Sequence, residues 1–432
     1  NSKGGEVFGR QAYTSIADLP EAPDLALLAV GGNQVAPVLE QCAQKGIRAA
    51  IAIAAGFSET GASGAEAEEE IARIATEGGV TLMGPNCMGL ISNEVGLHAI
   101  GFVKLHPPKG ALSLISQSGN VGVVASNNLD RRGIGIDKFA NVGNEAQIGA
   151  IDIIDYLRDD PNTTCIMAYI EGIDDGRRFL EVAERVTAVK PLVVLRTGLT
   201  EFGSKAAASH TGAMAGSAAV WEAAARQTGV VTCTSPDEAV DLSICMEYLP
   251  LPAGRRVAII TQGGGAGVIA ADEVARHGLQ LAELPAELYA SFDQLLPPFW
   301  SKRNPLDTVT SAGGEVMPVI LKGVAECDAV DAVILMSVLG IPTADVEREV
   351  SAHGEFVGLS AWEDGLMALV AELMETTGKP IINVPDFPIR GSVFDYGRRY
   401  HPITLSSARN AALALDRMEW YASYRQVHNY LA

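Results

Sequence analysis

Short apolar runs alternate with stretches of helical period along nearly the whole chain. "DLALLAV" (24–30), "AAIAIAAGF" (49–57) and "VTLMGPN" (80–86) lack the polar alternation of a half-exposed strand and read as strands buried on both faces. Between them lie the helical stretch "NQVAPVLEQCAQKG" (33–46) and an acidic helical segment, 64–78. This alternation predicts parallel-sheet βα units. The Pro/Gly breaks "HPPKG" (106–110) and "LPLPAG" (249–254) predict two boundaries and three domains: 1–108, 109–252 and 253–432. The stretch 406–431 reads as one helix opened by Ser, a natural lead into a further domain.

The chain repeats itself after the two boundaries. "ALSLISQSGNVGVVASNNLDRRG" (111–133) and "VAIITQGGGAGVIAADEVARHG" (257–278) align at a constant offset, with Gln117 on Gln262, Gly119 on Gly264, Gly122 on Gly267 and Gly133 on Gly278. "CIMAYIEGI" (165–173) then matches "AVILMSVLGI" (332–341), and "KPLVVL" (190–195) matches "KPIINV" (379–384). The preserved order predicts a duplicated flavodoxin-like domain. Duplication supplies an internal control: residues the fold requires recur, whereas residues chemistry requires need appear once. Glu171 falls opposite Leu339 in this alignment, and nothing like "SHTGAMAG" recurs in the second copy.

Composition narrows the class. A chain of 432 residues exceeds one core, and 48% hydrophobic residues with 45 Gly suit α/β domains with tight turns. Cys42, Cys87, Cys165, Cys233, Cys245 and Cys327 are scattered without a C-x-x-C pair, so neither zinc nor a disulfide framework is indicated, in keeping with a reducing cytoplasm. A net charge of −20 without a basic cluster argues against nucleic acid. No apolar run reaches membrane-spanning length. An anionic ligand must therefore be held locally, by backbone N–H groups and a few cations.

The chemistry concentrates at strand ends and in one loop. In "KAAASHTGAMAGS" (205–217), His210 stands among small residues ahead of the helix "AAVWEAAARQT" (218–228), with Ser217 as N-cap and Gly229 past its end. A cleared, movable loop before a helix N-terminus suits a phosphate, and a neutral imidazole is a nucleophile that can pass a phosphoryl group on. A plain surface histidine is the alternative. Glu171, ending "CIMAYIEG", is placed to orient an imidazole, or is a solvated loop acid beside Asp174 and Asp175. Ser118, Gly119 and Asn120 in "SQSGN" open a helix and would aim N–H groups at a phosphate or carboxylate, though "TQGGGAG" in the second copy makes the turn partly architectural. Cys87 in "GPNCMG" is a reactive thiol or a structural one, Lys3 in "SKGG" an anion contact, and Asp307 in "NPLDTV" a turn or an interface residue.

Taken in order, "GPNCMGLIS", "ISQSGNVG", "YIEGI" and "SHTGAMAGS", with "SKGG" more weakly, resemble the ADP-forming (NDP-forming) acyl-CoA synthetases and the α subunit of succinyl-CoA ligase. The resemblance covers about the whole chain. It implies a Rossmann-like CoA-binding domain followed by two flavodoxin-like doubly wound parallel-sheet domains. It further implies that His210 becomes phosphorylated, with Glu171 as its partner. Ser118, Gly119 and Asn120, with Thr211 and Gly212, would hold phosphate or acyl phosphate, and Lys3, Gly4, Asn86 and Cys87 would meet CoA. Acid, CoA and ATP would then form acyl-CoA, ADP and phosphate through phosphohistidine and acyl phosphate.

The chain departs from the family pattern in two places. It opens at "NSKGG" without an initiator Met, after the Gly-bearing βαβ unit that begins the family's CoA-binding domain, so that first unit is expected to be missing. No ATP-grasp pattern is present, so ATP/ADP with Mg2+ is expected on a β subunit or a continuation beyond residue 432, within an oligomer, and no metal site is expected in this chain. The competing reading is a non-catalytic CoA-sensing regulatory module of the same fold; a generic ligand-binding array is the third. Retention of both His210 and Glu171 favours the enzyme.

Overall fold

A computed structural model describes residues 3–101, 104–200, 202–203, 217–309, 314–339, 359–386 and 391–430. The chain forms two compact units, the first comprising Asn1–Asn127 and Gly135–Pro236, the second Asn128–Ile134 and Asp237–Ala432. Each is α/β with parallel sheets.

The first unit opens with a small antiparallel hairpin, β1 (Glu6–Val7) and β2 (Arg10–Gln11). A three-stranded parallel sheet comes next, in the order β3 (Leu25–Leu28), β4 (Ala49–Ala52), β5 (Thr81–Met83). Helix α1 (Gly32–Lys45) buries Val35, Leu39 and Cys42, a 3.6-residue stripe, and stops at Gly46, whose left-handed backbone closes the turn. Helix α2 (Ala62–Gly78) turns Ile71, Ile74 and Ala75 inward and leaves its acidic face to water.

Seven strands make the larger sheet: β6 (Gly89–Ser92), β7 (Leu97–Ile100), β8 (Lys109–Ser116), β9 (Ile136–Asn141), β10 (Cys165–Ile170), β11 (Leu192–Arg196) and β12 (Val231–Cys233). Their spatial order is β12-β11-β10-β8-β9-β6-β7; β6 pairs antiparallel with β9 and β7, and the other pairings are parallel. The hairpin β6–β7 thus precedes "HPPKG" in the chain yet extends the sheet built from the residues after it. Helix α3 (Gly119–Arg131) leaves β8, and α4 (Ala150–Arg158) leaves β9. Helix α5 (Gly176–Thr187) comes after β10, its N-cap Asp175 accepting from the Arg178 N–H at 2.9 Å, and it buries Phe179, Val182, Ala183 and Val186 against the sheet. The helix Ala218–Thr228 ends at left-handed Gly229 as expected, but Ser217 at its N-cap makes no side-chain capping bond.

In the second unit, β13 (Arg256–Thr261), β14 (Gln280–Leu281), β15 (Leu306–Asp307), β16 (Ala332–Met336), β17 (Ile381–Val384) and β18 (Ile403–Thr404) form one parallel sheet in the order β14-β13-β16-β17-β18, with β15 also on β13. It shares with β9-β8-β10-β11-β12 the 2-1-3-4-5 winding of flavodoxin-like folds. The helix Gly264–Arg276 starts and stops where α3 does under the offset that brings Gln117 to Gln262. Small devices recur as well. Ser116 Oγ donates to Ser118 O, and Thr261 Oγ1 to Gly263 O. Buried Lys190 Nζ donates to the carbonyls of Leu157, Asp160 and Thr163, and Lys379 Nζ to those of Ala325 and Cys327.

One detail of the duplication is corrected. Tyr169 pairs with Ser116 and Met336 with Thr261, so counting outward places Glu171 opposite Val338, one residue before Leu339. Both valine and leucine are buried there, and the contrast with a carboxylate stands. Among the described residues no helix is long and apolar enough to cross a membrane. The C-terminal helix runs Ala408–Val427, with the Ser407 side chain accepting from the Asn410 N–H.

Candidate active site

The carboxyl ends of two parallel sheets line one cleft of about 920 Å³ in the first unit. Ala29 and Val30 after β3, Ile53–Ala55 after β4 and Asn86–Met88 after β5 form one wall; Gln117–Asn120 after β8, Gly143–Glu145 after β9, and Glu171 and Gly172 after β10 form the other. Strands β8 and β10 are neighbours whose connections leave toward opposite edges of the sheet, the switch point where such folds bind ligands.

At that point Gln117 ties three strand ends together. Its Oε1 accepts from the N–H groups of Glu171 and Gly172, and its Nε2 donates to Gly172 O at 3.0 Å and to Glu145 Oε1 at 2.9 Å. Asn141, fully buried at the end of β9, accepts from the Met88 N–H and donates to the carbonyls of Ser116 and Gln117. The first N–H groups of α3, from Gly119 and Asn120, have no intrahelical acceptor and open toward the cleft. A Cβ at Gly119 would come within 2.8 Å of Met88 Cγ and Sδ, so a side chain here would have to displace the Met88 side chain from the opposite wall.

Glu171 lies beside the Tyr169 hydroxyl and faces the buried Arg196 guanidinium. Burial raises the Tyr169 phenol, with the Glu171 charge adding to the effect. Burial also lowers Arg196, against the attraction of Glu171. Glu145 takes a left-handed backbone, φ 63°. Burial pushes its carboxyl up to about 7, Asp174 and Asp152 reinforce the rise, and the Gln117 amide and the Ala150 N–H oppose it. Asn144 Nδ2 gathers Ser58 Oγ, Glu59 Oε2 and Glu68 Oε2 within 3.1 Å, while its Oδ1 accepts from Asn86 Nδ2. Burial alone would raise Glu59; the Gly56 N–H and the Asn144 amide outweigh it and hold that carboxyl below its ordinary range.

The cleft therefore brings together Asn86, Cys87, Ser118, Gly119, Asn120 and Glu171. It does not include Lys3 and Gly4, which lie just ahead of β1, with Gly4 turned (φ 60°) against Thr14. His210, Thr211 and Gly212 lie outside the described residues. Cys87 is buried, its Sγ donates to Ala52 O at 3.4 Å, and burial pushes the thiol up to about 12, so it is a packing residue rather than a reactive one. Sequence reasoning missed the site roles of Gln117, Asn141, Asn144 and Glu145. An acid two residues past a glycine at a strand end, as in "NVGNEAQIG", was the available signal for Glu145.

Comparison with known proteins bears on this cleft. Residues 1–93 match a CoA binding domain, 109–246 a succinyl-CoA ligase like flavodoxin domain and 257–344 a ligase-CoA domain. Over 384 residues the chain is 38% identical to subunit alpha of the ADP-forming acetate–CoA ligase II of Pyrococcus furiosus, covering 88% of this chain and 80% of that subunit. The chain belongs to the ADP-forming acyl-CoA synthetases. It is thus an acid–thiol ligase of the α-subunit type. Against the ADP-forming acetate–CoA ligase I of Archaeoglobus fulgidus it is 36% identical over 347 residues, but these span only 50% of that longer protein. An acetyl-coenzyme A synthetase 1 from Ca. Korarchaeum cryptofilum, described as dinucleotide forming and solved with phosphate and ADP, superposes with a TM-score of 0.83 at 30% identity over 100% of this chain and 90% of that one.

Proposed function

We propose that this chain carries out the CoA and acyl-phosphate half of an ADP-forming acid–CoA ligase. A phosphoryl group reaches His210 from ATP held on an ATP-grasp β subunit or continuation. Carboxylate oxygen displaces the imidazole to give an acyl phosphate, and the CoA sulfur then displaces phosphate to give the thioester. Glu171 holds the ring tautomer that leaves the attacking nitrogen free. The α3 N–H groups at Ser118–Asn120, with Thr211 and Gly212, take the phosphate oxygens. CoA enters across Asn86 and Cys87, with Lys3 and Gly4 at its far end. Acetate, for which the relatives are named, is the first acid to test.

The observation that supports this reading most is the meeting of two sets of strand carboxyl ends in one cleft, one from the CoA-binding sheet and one bearing Glu171 and the α3 turn. The proposal places Mg2+ with the nucleotide on the ATP-grasp part; among the described residues of this chain no group of three His, Cys, Asp or Glu is gathered to hold a metal ion. The same proposal divides the chain at 108/109 and 252/253 and places it in a cytoplasmic oligomer, where six free thiols remain reduced.

A panel of carboxylic acids, assayed for acyl-CoA and ADP with ATP and CoA, tests the reading. Turnover is expected for at least one acid when the ATP-grasp part is supplied, and none when this chain is alone. Turnover by the chain alone overturns the placement of the nucleotide site. CoA binding without turnover on any acid, with the ATP-grasp part present, assigns the chain to the CoA-sensing modules instead.

A further inference from the structure

Thioester formation has a proton to move. An acyl phosphate dianion and a thiol give a thioester and hydrogen phosphate dianion, so one proton leaves sulfur and one arrives on the departing oxygen. Glu171, engaged with Tyr169 and Arg196 and committed to orienting the imidazole, is not free for this task. A second carboxyl stands in the cleft. Glu145 lines it on the loop after β9, one hydrogen bond from Gln117 and so next to the Ser118–Asn120 turn. Its two oxygens are unlike. Oε1 accepts from Gln117 Nε2 at 2.9 Å and from the Ala150 N–H at 3.1 Å, whereas Oε2 takes no hydrogen bond among the described residues. Oε2 lies against the Gly149 backbone, where a Cβ would come within 2.4 Å. The loop holds Glu145 there in a left-handed conformation that a non-glycine residue seldom adopts.

We propose that Glu145 is the proton carrier of the thioester-forming step: Oε2 takes the proton from the CoA sulfur as the S–C bond forms and gives it to the phosphate oxygen as the C–O bond breaks. This rests on the proposed ligase function and adds a residue to it. The surroundings suit a group that must both accept and release. Gln117 faces it from the β8 turn, the Ala150 N–H and Asp152 from α4, and Asp174 from the loop after β10; Asp152 is paired with Arg178. Glu59, Glu68 and Glu171 share the cleft, and no Lys, Arg or His is among its described lining residues. With acids as the nearest charges and little water, burial pushes the carboxyl up to about 7, closer to an ordinary thiol at about 8.5 than a free carboxylate stands, which eases uptake of the sulfur's proton.

The test uses the chain assembled with its ATP-grasp part, with acetyl phosphate and CoA as substrates, and measures acetyl-CoA across pH. The wild type is expected to reach a plateau above an apparent pKa near 7. Glu145→Gln keeps the oxygen that accepts from Gln117 and Ala150 and loses the carried proton. It is expected to fall about 100-fold at neutral pH and to recover as pH approaches the thiol's own value, about 8.5, where thiolate forms unaided. Phosphorylation of the protein by ATP should stay within about twofold, and Glu145→Asp should restore part of the neutral-pH rate. An unchanged pH profile in Glu145→Gln overturns the proposal and leaves the ligase reading intact. Equal loss of phosphorylation and thioester formation also overturns it, because the role is then structural. No acetyl-CoA from the wild type with any acyl phosphate would instead strike the ligase reading itself.

Discussion

The two flavodoxin-like copies share strand order, the length and placement of the first helix, the hydroxyl that anchors the turn after the first strand, and a lysine, buried in the first copy and half-buried in the second, that ties backbone carbonyls at the opposite end of the sheet. They differ at the carboxyl ends of the strands. Just beyond β10 the first copy has Glu171, beside Tyr169 and Arg196; at the matched position beyond β16 the second has Val338, 2% exposed. Where the first has Ser118 and Asn120 at the helix start, the second has Gly263 and Gly265. Shared residues are what the winding needs; unshared ones mark where chemistry was added to one crevice. The lysines belong to the first group and the glutamate to the second, a sorting that relies on geometry within one chain.

That sorting can be broken at matched positions. The largest contrast is at the strand ends. Glu171→Gln should lower acyl-CoA synthesis about 100- to 1000-fold with little change in melting temperature, whereas Val338→Glu should cost about 3–5 kcal/mol in urea unfolding by burying an unpaired charge. Next come the glutamines. Gln117→Leu removes four hydrogen bonds around Glu171 and should lower kcat about 10- to 100-fold, while Gln262→Leu should stay within about threefold. The lysines should behave alike: Lys190→Met and Lys379→Met each destabilise by about 2 kcal/mol, with kcat per folded molecule unchanged. Smallest is a pH effect on stability. Glu145 stands at about 7 in the folded chain against an ordinary 4.5, so its contribution is whole below the lower value and is lost as pH rises through the higher one. The melting temperature of Glu145→Gln relative to wild type should therefore climb between about pH 4.5 and pH 8; a flat difference would show that the carboxyl is not held up.

Much of the architecture was legible because buried parallel strands and 3.6-residue stripes leave strong local patterns. Helix 218–228 was placed to the residue, and the repeat predicted that α3 and Gly264–Arg276 would coincide. The register between Glu171 and Val338 was missed by one position because the second copy is one residue longer beyond β16, which has no local mark, and only strand pairing reveals where the extra residue falls. The β6–β7 hairpin escaped for a related reason. Its short strands carry little periodicity, and β6 reaches its partner β9 across a long separation in the chain. Site residues that hold others, Gln117, Asn141 and Asn144, give no compositional signal, since their meaning is the pairs of backbone groups they span. Cys87 was open between a reactive and a structural thiol by type, and its burial against Ala52 O favours the structural one.

The central claim is that a histidine in this chain carries phosphate between a nucleotide held elsewhere and a carboxylate in the cleft. Its most direct test is a chase: the assembled protein is labelled with γ-phosphate-labelled ATP, freed of nucleotide, mapped by mass spectrometry, and then given acetate and CoA. The account predicts one acid-labile phosphate on His210 that appears as free phosphate, matched by acetyl-CoA in equal amount. Label on another residue, or label on His210 that survives acetate and every other acid that supports turnover, would contradict it.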